Sequence, residues 1–341
     1  MRPANLRAPG PADPTPARPI YLDPERLQAH SLRTHTHSAR LVSALVLIMG
    51  FSAWLLWGPL GIVAAAIGAG LIVFLGPRLP PETVMRLYRA QRVTAEEAPQ
   101  LAAIVSGLAE RAQLPAPPQI YVVPSVTLNA FAVGNERRSA VAMTEGIIRA
   151  LTLRELQGVL GHELSHIKNG DLWIMGLADG MHRLTRALSY AAILLLLFHL
   201  PSIFSGTVEV PWLAVLLLLL APMLASLLQL GLSRAREYEA DLDSAMLTGD
   251  PEGLASALSK LEDYHGGVVE DIAHPSRRIP HPSVLRSHPS TADRIARLKS
   301  IAAGPLWKPP LVPTEQPMMT ALAGLGPGAM RPRYHWTGVW Y

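Results

Sequence analysis

His162-Glu163-Leu164-Ser165-His166 is an H-E-x-x-H sequence inside a stretch that reads as helix. Residues four apart on an α-helix lie one above the other, so both imidazoles face the same way. Neutral imidazole is a good zinc ligand, and two at this spacing make half of a tetrahedral site. Glu163 lies one step round the helix, within reach of water at the metal without being a ligand itself. This pattern is the metalloprotease signature.

A catalytic zinc keeps three protein ligands and one open position. The run Ser233 to Ala245 offers the missing carboxylate, but two i,i+4 pairs compete: Glu237 with Asp241, and Glu239 with Asp243. Glu237 shares its helical face with Ala240, Asp241, Ser244 and Ala245, small residues suited to close packing. Glu239 shares its face with Leu242, Asp243 and Met246, a bulkier set. A ligand helix must approach the metal helix closely, so Glu237 is the expected third ligand. Asp241, one turn on, is placed to accept a hydrogen bond from the far nitrogen of a ligand histidine. The plainer alternative is that these are ordinary solvated carboxylates.

The elements that must hold these residues follow from composition and hydropathy. The chain has 341 residues, 49% hydrophobic and only 16% charged, against about 25% charged in soluble domains. Its mean hydropathy is +0.23. That balance points to a membrane protein. The net charge of +4 comes from scattered basic residues that are not interleaved with aromatics, so no nucleic-acid partner is expected. There is no cysteine, which excludes disulfides and leaves zinc to histidine and carboxylates.

Residues 1–38 carry seven prolines and read as a disordered tail without a signal peptide. An uncharged stretch from Leu41 to Gly76 is broken near Gly58-Pro59-Leu60-Gly61 and reads as a first transmembrane hairpin, within 39–77. A second apolar pair, Leu188 to Phe204 and Pro211 to Leu232, forms a second hairpin within 188–232. Either pair could instead be buried core helix, since the arms are short. Arg33 and Arg40, then Arg78, Arg86, Arg89 and Arg92, then Arg183 and Arg186, then Arg234 and Arg236 flank the outer ends, while the connecting loops contain no Lys or Arg. The positive-inside rule then puts both termini and segment 77–187 in the cytoplasm.

The first part of the catalytic domain, 78–187, contains an amphipathic helix over Glu96 to Ala112 and strands at Gln119–Val123, Asn129–Val133 and Ser139–Met143, with a turn at Gly134-Asn135. The metal helix is expected to start at Thr152 in a capping box with Glu155 and to stop at Asn169-Gly170. The second part, 233–302, holds helices near Arg234–Leu247, Pro251–Tyr264 and Thr291–Ile301. Residues 303–341 are a Pro/Gly-rich tail. The expected fold is therefore mainly α: four transmembrane helices plus a zincin-like α+β metalloprotease domain with a small β-sheet.

The chain resembles the HtpX-type membrane zinc metallopeptidases, relatives of the CAAX prenyl proteases, over about residues 40–300. The residues that carry the resemblance are Asn129-Ala130-Phe131-Ala132, Gly161 to Asp171, Ser233 to Asp241, and His288-Pro289 followed by Arg294-Ile295. It implies His162, His166 and Glu237 as ligands of one zinc, Glu163 as catalytic base, and a proteolytic domain on the cytoplasmic face of the inner membrane. It also offers His288 and Arg294 as stabilisers of the oxyanion, although His288 reads equally well as a surface residue before a helix. Asn129, Ala130, Phe131 and Ala132 would form an edge strand that pairs with an extended protein or peptide substrate, or else an interior strand. The function expected is hydrolysis of peptide bonds, in quality control of misfolded membrane proteins. A processing protease for lipid-modified substrates and a non-catalytic scaffold are the alternatives. The general base Glu163 argues against the scaffold.

Overall fold

The computed structural model describes residues 20–21, 24–75, 80–207, 209–271 and 290–302. The expected tail 303–341 and His288 lie outside them. A short strand, β1 (Ile20–Tyr21), precedes the long helical segment α1 (Pro24–Leu75). α1 starts inside the stretch expected to be a disordered tail. Pro24 occupies the first helical position, where a missing N–H costs nothing, and no further proline follows before Pro59.

α1 is broken at Trp57 (φ −135°, ψ 16°) and Gly58 (φ 60°, ψ −143°). A side chain at Gly61 would overlap the backbone of Ala53. Residues eight apart in an unbroken helix lie about 12 Å apart along the axis, so the chain doubles back here and its two arms touch. Only glycine takes this conformation at position 58 without strain.

Beyond α2 (Pro81–Leu87) comes a sheet flanked by helices: β2 (Gln91–Val93), α3 (Pro99–Arg111), β3 (Gln119–Val123), β4 (Ala130–Asn135) and β5 (Arg138–Thr144). The strand order is β2-β3-β5-β4, with β3 and β5 parallel and the other neighbours antiparallel. The hairpin between β4 and β5 turns at Glu136-Arg137, two residues later than expected, because Asn135 still pairs with Arg138. The Asn135 side chain accepts from the N–H groups of Arg137 and Arg138 and so closes the turn.

Next follow α4 (Glu145–Ala150), α5 (Leu153–Lys168), α6 (Asp171–Phe198), α7 (Leu200–Phe204), α8 (Trp212–Thr248), α9 (Pro251–Asp271), α10 (Thr291–Lys299) and β6 (Ile301–Ala302). β6 pairs in parallel with β1. No separate helix begins at Arg234: α8 runs unbroken from the apolar segment through the expected ligand run. α6 likewise continues from just behind the metal helix into its apolar half. Propagating a helix costs less than ending and renucleating it.

Strand residues alternate between two cores. Ile120, Val141 and Met143 face α3, α5 and α9, packing with Leu101, Leu108, Leu156, Leu160 and Leu254. Tyr121, Val123, Ala140 and Ala142 face Met85 of α2. A separate apolar cluster joins α1, α6 and α8 through Leu45, Met49, Ala65, Met181, Leu188 and Ala225. Away from it the same helices expose Leu47, Leu60, Ile67, Leu194 and Leu213. Exposed apolar surface on this scale marks a lipid-facing region. Among the described residues, three helical segments are long and apolar enough to cross a membrane: Thr36–Leu71, Asp171–Phe198 and Trp212–Thr248.

Candidate active site

α5 is pinned at its first turn by the expected capping box. The Thr152 hydroxyl accepts from the Glu155 N–H at 3.3 Å, and Glu155 accepts from the Thr152 N–H at 2.8 Å. Ser256 and Lys260 of α9 also donate to Glu155. The helix stops at Asn169, followed by Gly170 at φ 66°.

Two glycines let α5 approach its neighbours. A Cβ at Gly158 would lie 2.7 Å from the backbone nitrogen of Leu254, and one at Gly161 would lie 2.9 Å from the Ser244 hydroxyl. That hydroxyl donates to the Gly158 carbonyl at 2.7 Å. Glu237, Ala240, Asp241, Ser244 and Ala245 are all buried. The small-residue face of α8 is therefore the one applied to the metal helix, as expected.

The contact brings His162, His166 and Glu237 together, with one donor atom from each within 4.8 Å of the others. The two Nε2 atoms are 3.2 Å apart, and Glu237 oxygens lie 3.3 Å from His162 Nε2 and 3.8 Å from His166 Nε2. Ligands of tetrahedral zinc at its usual bond lengths sit roughly 3.4 Å from one another. The spacing fits. Glu239, the competing carboxylate, turns away and accepts from Arg236 at 3.0 Å.

Each imidazole is held from behind. His162 Nδ1 lies 3.1 Å from Asp241 Oδ1, and His166 Nδ1 lies 2.8 Å from Asp171 Oδ2. In both histidines Nδ1 faces a carboxylate and Nε2 faces the common centre, the orientation ligand histidines adopt. Burial alone would lower the His162 pKa, but Asp241 and Glu237 outweigh it and lift it to about 10. A metal would have to displace that proton.

Arg294 of α10 enters from the far end of the domain. Its Nη1 lies 3.2 Å from Glu237, and Nε and Nη2 donate to the two oxygens of Asp241. Expected beside a reacting carbonyl, it is found bound to the carboxylates that define the site. Arg236, read from the sequence as a membrane flank, is fully buried and pairs with Asp171 at 3.1 Å. An arginine next to a ligand carboxylate is drawn into the anionic centre, where packing puts it out of reach of headgroups. Asp171 and Arg236 are the residues whose roles the sequence did not disclose. Asp171 lies beyond the helix stop, so helical periodicity says nothing about where it points.

Glu163 stands beside the group. Burial raises its carboxyl pKa, opposed by His162 and His166. It also accepts from the Ala132 N–H of β4. β4 is the outer strand of its sheet. Asn129 exchanges bonds with Thr144, so by alternation Phe131 and Val133 face β5 while Ala130, Ala132 and Gly134 turn their backbone groups outward.

In this centre four carboxylates (Glu163, Asp171, Glu237, Asp241) face two guanidinium groups (Arg236, Arg294) among the described residues. That excess of negative charge, together with two Nε2 atoms that converge with a Glu237 oxygen, fits a divalent cation that takes the place of the ring proton.

Sequence comparison with known proteins identifies the family. Residues 95–302 match the model of peptidase family M48. The chain is 36% identical over 277 residues to a protease HtpX homolog of Methylibium petroleiphilum, covering 77% of this chain and 96% of that protein. It is 35% identical over 274 residues to one from Burkholderia ambifaria, covering 76% and 93%. The crystal structure of S. mikatae Ste24p aligns over 80% of this chain and 66% of its own, at 19% identity and a TM-score of 0.43. The matched segment holds the H-E-x-x-H helix, both buried arginines and Glu237, and the chain belongs to peptidase family M48.

Proposed function

We propose that this protein is a membrane-bound zinc endopeptidase that degrades misfolded or damaged membrane proteins. The observation that carries the reading is the convergence of His162 Nε2, His166 Nε2 and a Glu237 oxygen on one point, with Glu163 beside them. Zinc held there would polarise the scissile carbonyl and acidify water.

Glu163 takes the proton of the attacking water and delivers it to the leaving amine. Asp241 and Asp171 keep the two imidazoles oriented, and Arg294 holds Asp241 and Glu237 in place. The outward backbone groups of Ala130, from the expected segment Asn129 to Ala132, and of Gly134, two residues beyond it on β4, pair with an extended substrate. Recognition through the main chain is indifferent to side chains, which suits a protease with many substrates. His288, outside the described residues, remains a candidate oxyanion partner on the strength of the family resemblance.

The apolar helices make four crossings, with α1 contributing two arms. Both termini and the catalytic halves, 78–187 and 233–302, lie on the cytoplasmic side of the inner membrane. The distribution of Arg and Lys supports this orientation.

The test is the zinc content of detergent-purified protein, wild type beside Glu237→Ala. About one zinc per chain, lost in the variant, is expected. Absence of zinc from carefully prepared wild type would overturn the reading. Retention in the variant would move the third ligand elsewhere.

A further inference from the structure

The two histidines are supported by parallel but separate chains of contacts. Behind His162 stand Asp241 and then Arg294. Behind His166 stand Asp171 and then Arg236, whose Nη1 lies 3.1 Å from Asp171 Oδ1 and 3.0 Å from Glu239 Oε2. Arg236 is among the largest fully buried side chains, 2% exposed. Packing alone does not account for it. A buried guanidinium carries a desolvation cost that an apolar side chain of similar volume avoids.

The geometry points to a specific task, and we propose that Arg236 is a positioning residue for the metal centre, acting through Asp171 on His166. The inference rests on the zinc-site reading above. Asp171 is the first residue of α6, just after Gly170 in the left-handed conformation, so the α5 helix that carries His166 does not continue to it. One carboxylate oxygen lies 2.8 Å from His166 Nδ1, and the other has no hydrogen bond and only the Arg236 charge beside it, at 3.1 Å. Without that charge the buried carboxylates of Asp171 and Glu239 are left uncompensated, and Asp171 loses the attraction that orients it. The ion pair ties α6 to α8 behind α5. It thereby fixes the plane of the His166 imidazole with Nε2 aimed at Glu237.

The test is a chelator-competition measurement of zinc affinity on the full-length protein in detergent. It compares wild type, Arg236→Gln, Asp171→Asn, the double variant and Glu239→Gln, with apoprotein melting followed in parallel. Arg236→Gln and Asp171→Asn should each weaken zinc binding by about 10- to 100-fold. The double variant should bind no more weakly than Asp171→Asn, because both act along one path. Glu239→Gln, which leaves the Asp171 contact intact, should retain wild-type affinity. The visible absorption of the cobalt-substituted protein should change in Arg236→Gln and not in Glu239→Gln, a signature that a purely structural role would not produce. Should Arg236→Gln fail to fold, Arg236→Lys replaces it in the same cycle, with an affinity between wild type and Asp171→Asn. Wild-type affinity in the Arg236 variant, or losses that multiply in the double variant, would overturn this inference alone. Failure of the wild type to bind zinc would overturn it together with the zinc-site reading.

Discussion

Arg294 grips Asp241 with two parallel bonds, Nε to Oδ2 at 2.8 Å and Nη2 to Oδ1 at 2.6 Å. Asp241 is also the residue that holds His162. A helix at the end of the described chain therefore stabilises the orientation of a ligand on α5. Burial opposes the charge of Arg294, but Asp241 and then Glu237 raise its pKa above the ordinary value, so the guanidinium stays charged there.

Arg294→Ala should cost about 3–5 kcal/mol, because it leaves buried Asp241 uncompensated. Thermal unfolding measures that loss, and the zinc content of the variant should fall with it. Arg294→Lys, which keeps the charge but loses the fork, should recover part of the stability. Equal stability in Ala and wild type would contradict the assignment.

Glu163→Gln should bind zinc as wild type does, because Glu163 is not one of the three converging groups. Its kcat/KM on an unfolded protein substrate should drop by about 10²- to 10⁴-fold. Metal analysis and a cleavage assay on the same preparation separate the two effects. Full activity would remove Glu163 from the chemistry.

The glycines on α5 are a matter of distance between helices. In Gly158→Ala the new methyl group meets the backbone of Leu254 at 2.7 to 2.8 Å, which side-chain rotation cannot relieve. A loss of about 1–3 kcal/mol is expected in a melting experiment. Gly161→Ala meets the ends of Ser244 and Thr248 side chains. Some of that strain is relieved by moving α8, and with it Glu237, so zinc affinity should fall in this variant.

Glu155 links the start of α5 to α9 and gives stability a pH dependence. Burial would raise its pKa, but Lys260, Ser256 and the Thr152 N–H together bring it below the ordinary 4.5. A carboxylate with a depressed folded-state pKa contributes stability above its unfolded pKa and loses it as pH falls through the folded one. Glu155→Gln should therefore melt lower than wild type at pH 7, and the gap should narrow on acidification below 4.5. A gap that is constant across that range would show that the charge is not what matters.

The lack of cysteine makes the proposed topology directly measurable. Single cysteines at Leu60 and Glu209 should react with an impermeant thiol reagent only from the outer side of the inner membrane. One at exposed Glu136, on the β-hairpin tip, should react only after the cytoplasmic side is opened. Labelling of Leu60→Cys and Glu136→Cys from the same side would reduce α1 to a segment that does not cross twice.

Much of the site was legible in the sequence because its signals are local. The i,i+4 spacing of His162 and His166, the Thr152–Glu155 capping box and the small face carrying Glu237 each depend on one helix and its 3.6-residue period. Strand β3 was legible for the same reason, through period-two alternation. The tertiary structure alone decided which buried charges would meet. Asp171 reaches His166 only because the chain turns at Gly170, and Arg294 meets His162 and Asp241 only because α10 folds back across the domain. Arg236 looks like any membrane-flanking arginine until α8 proves continuous and turns it toward Asp171. Electrostatic partners in a buried site are chosen through space, among segments far apart in the chain, and no periodicity along one segment encodes that choice.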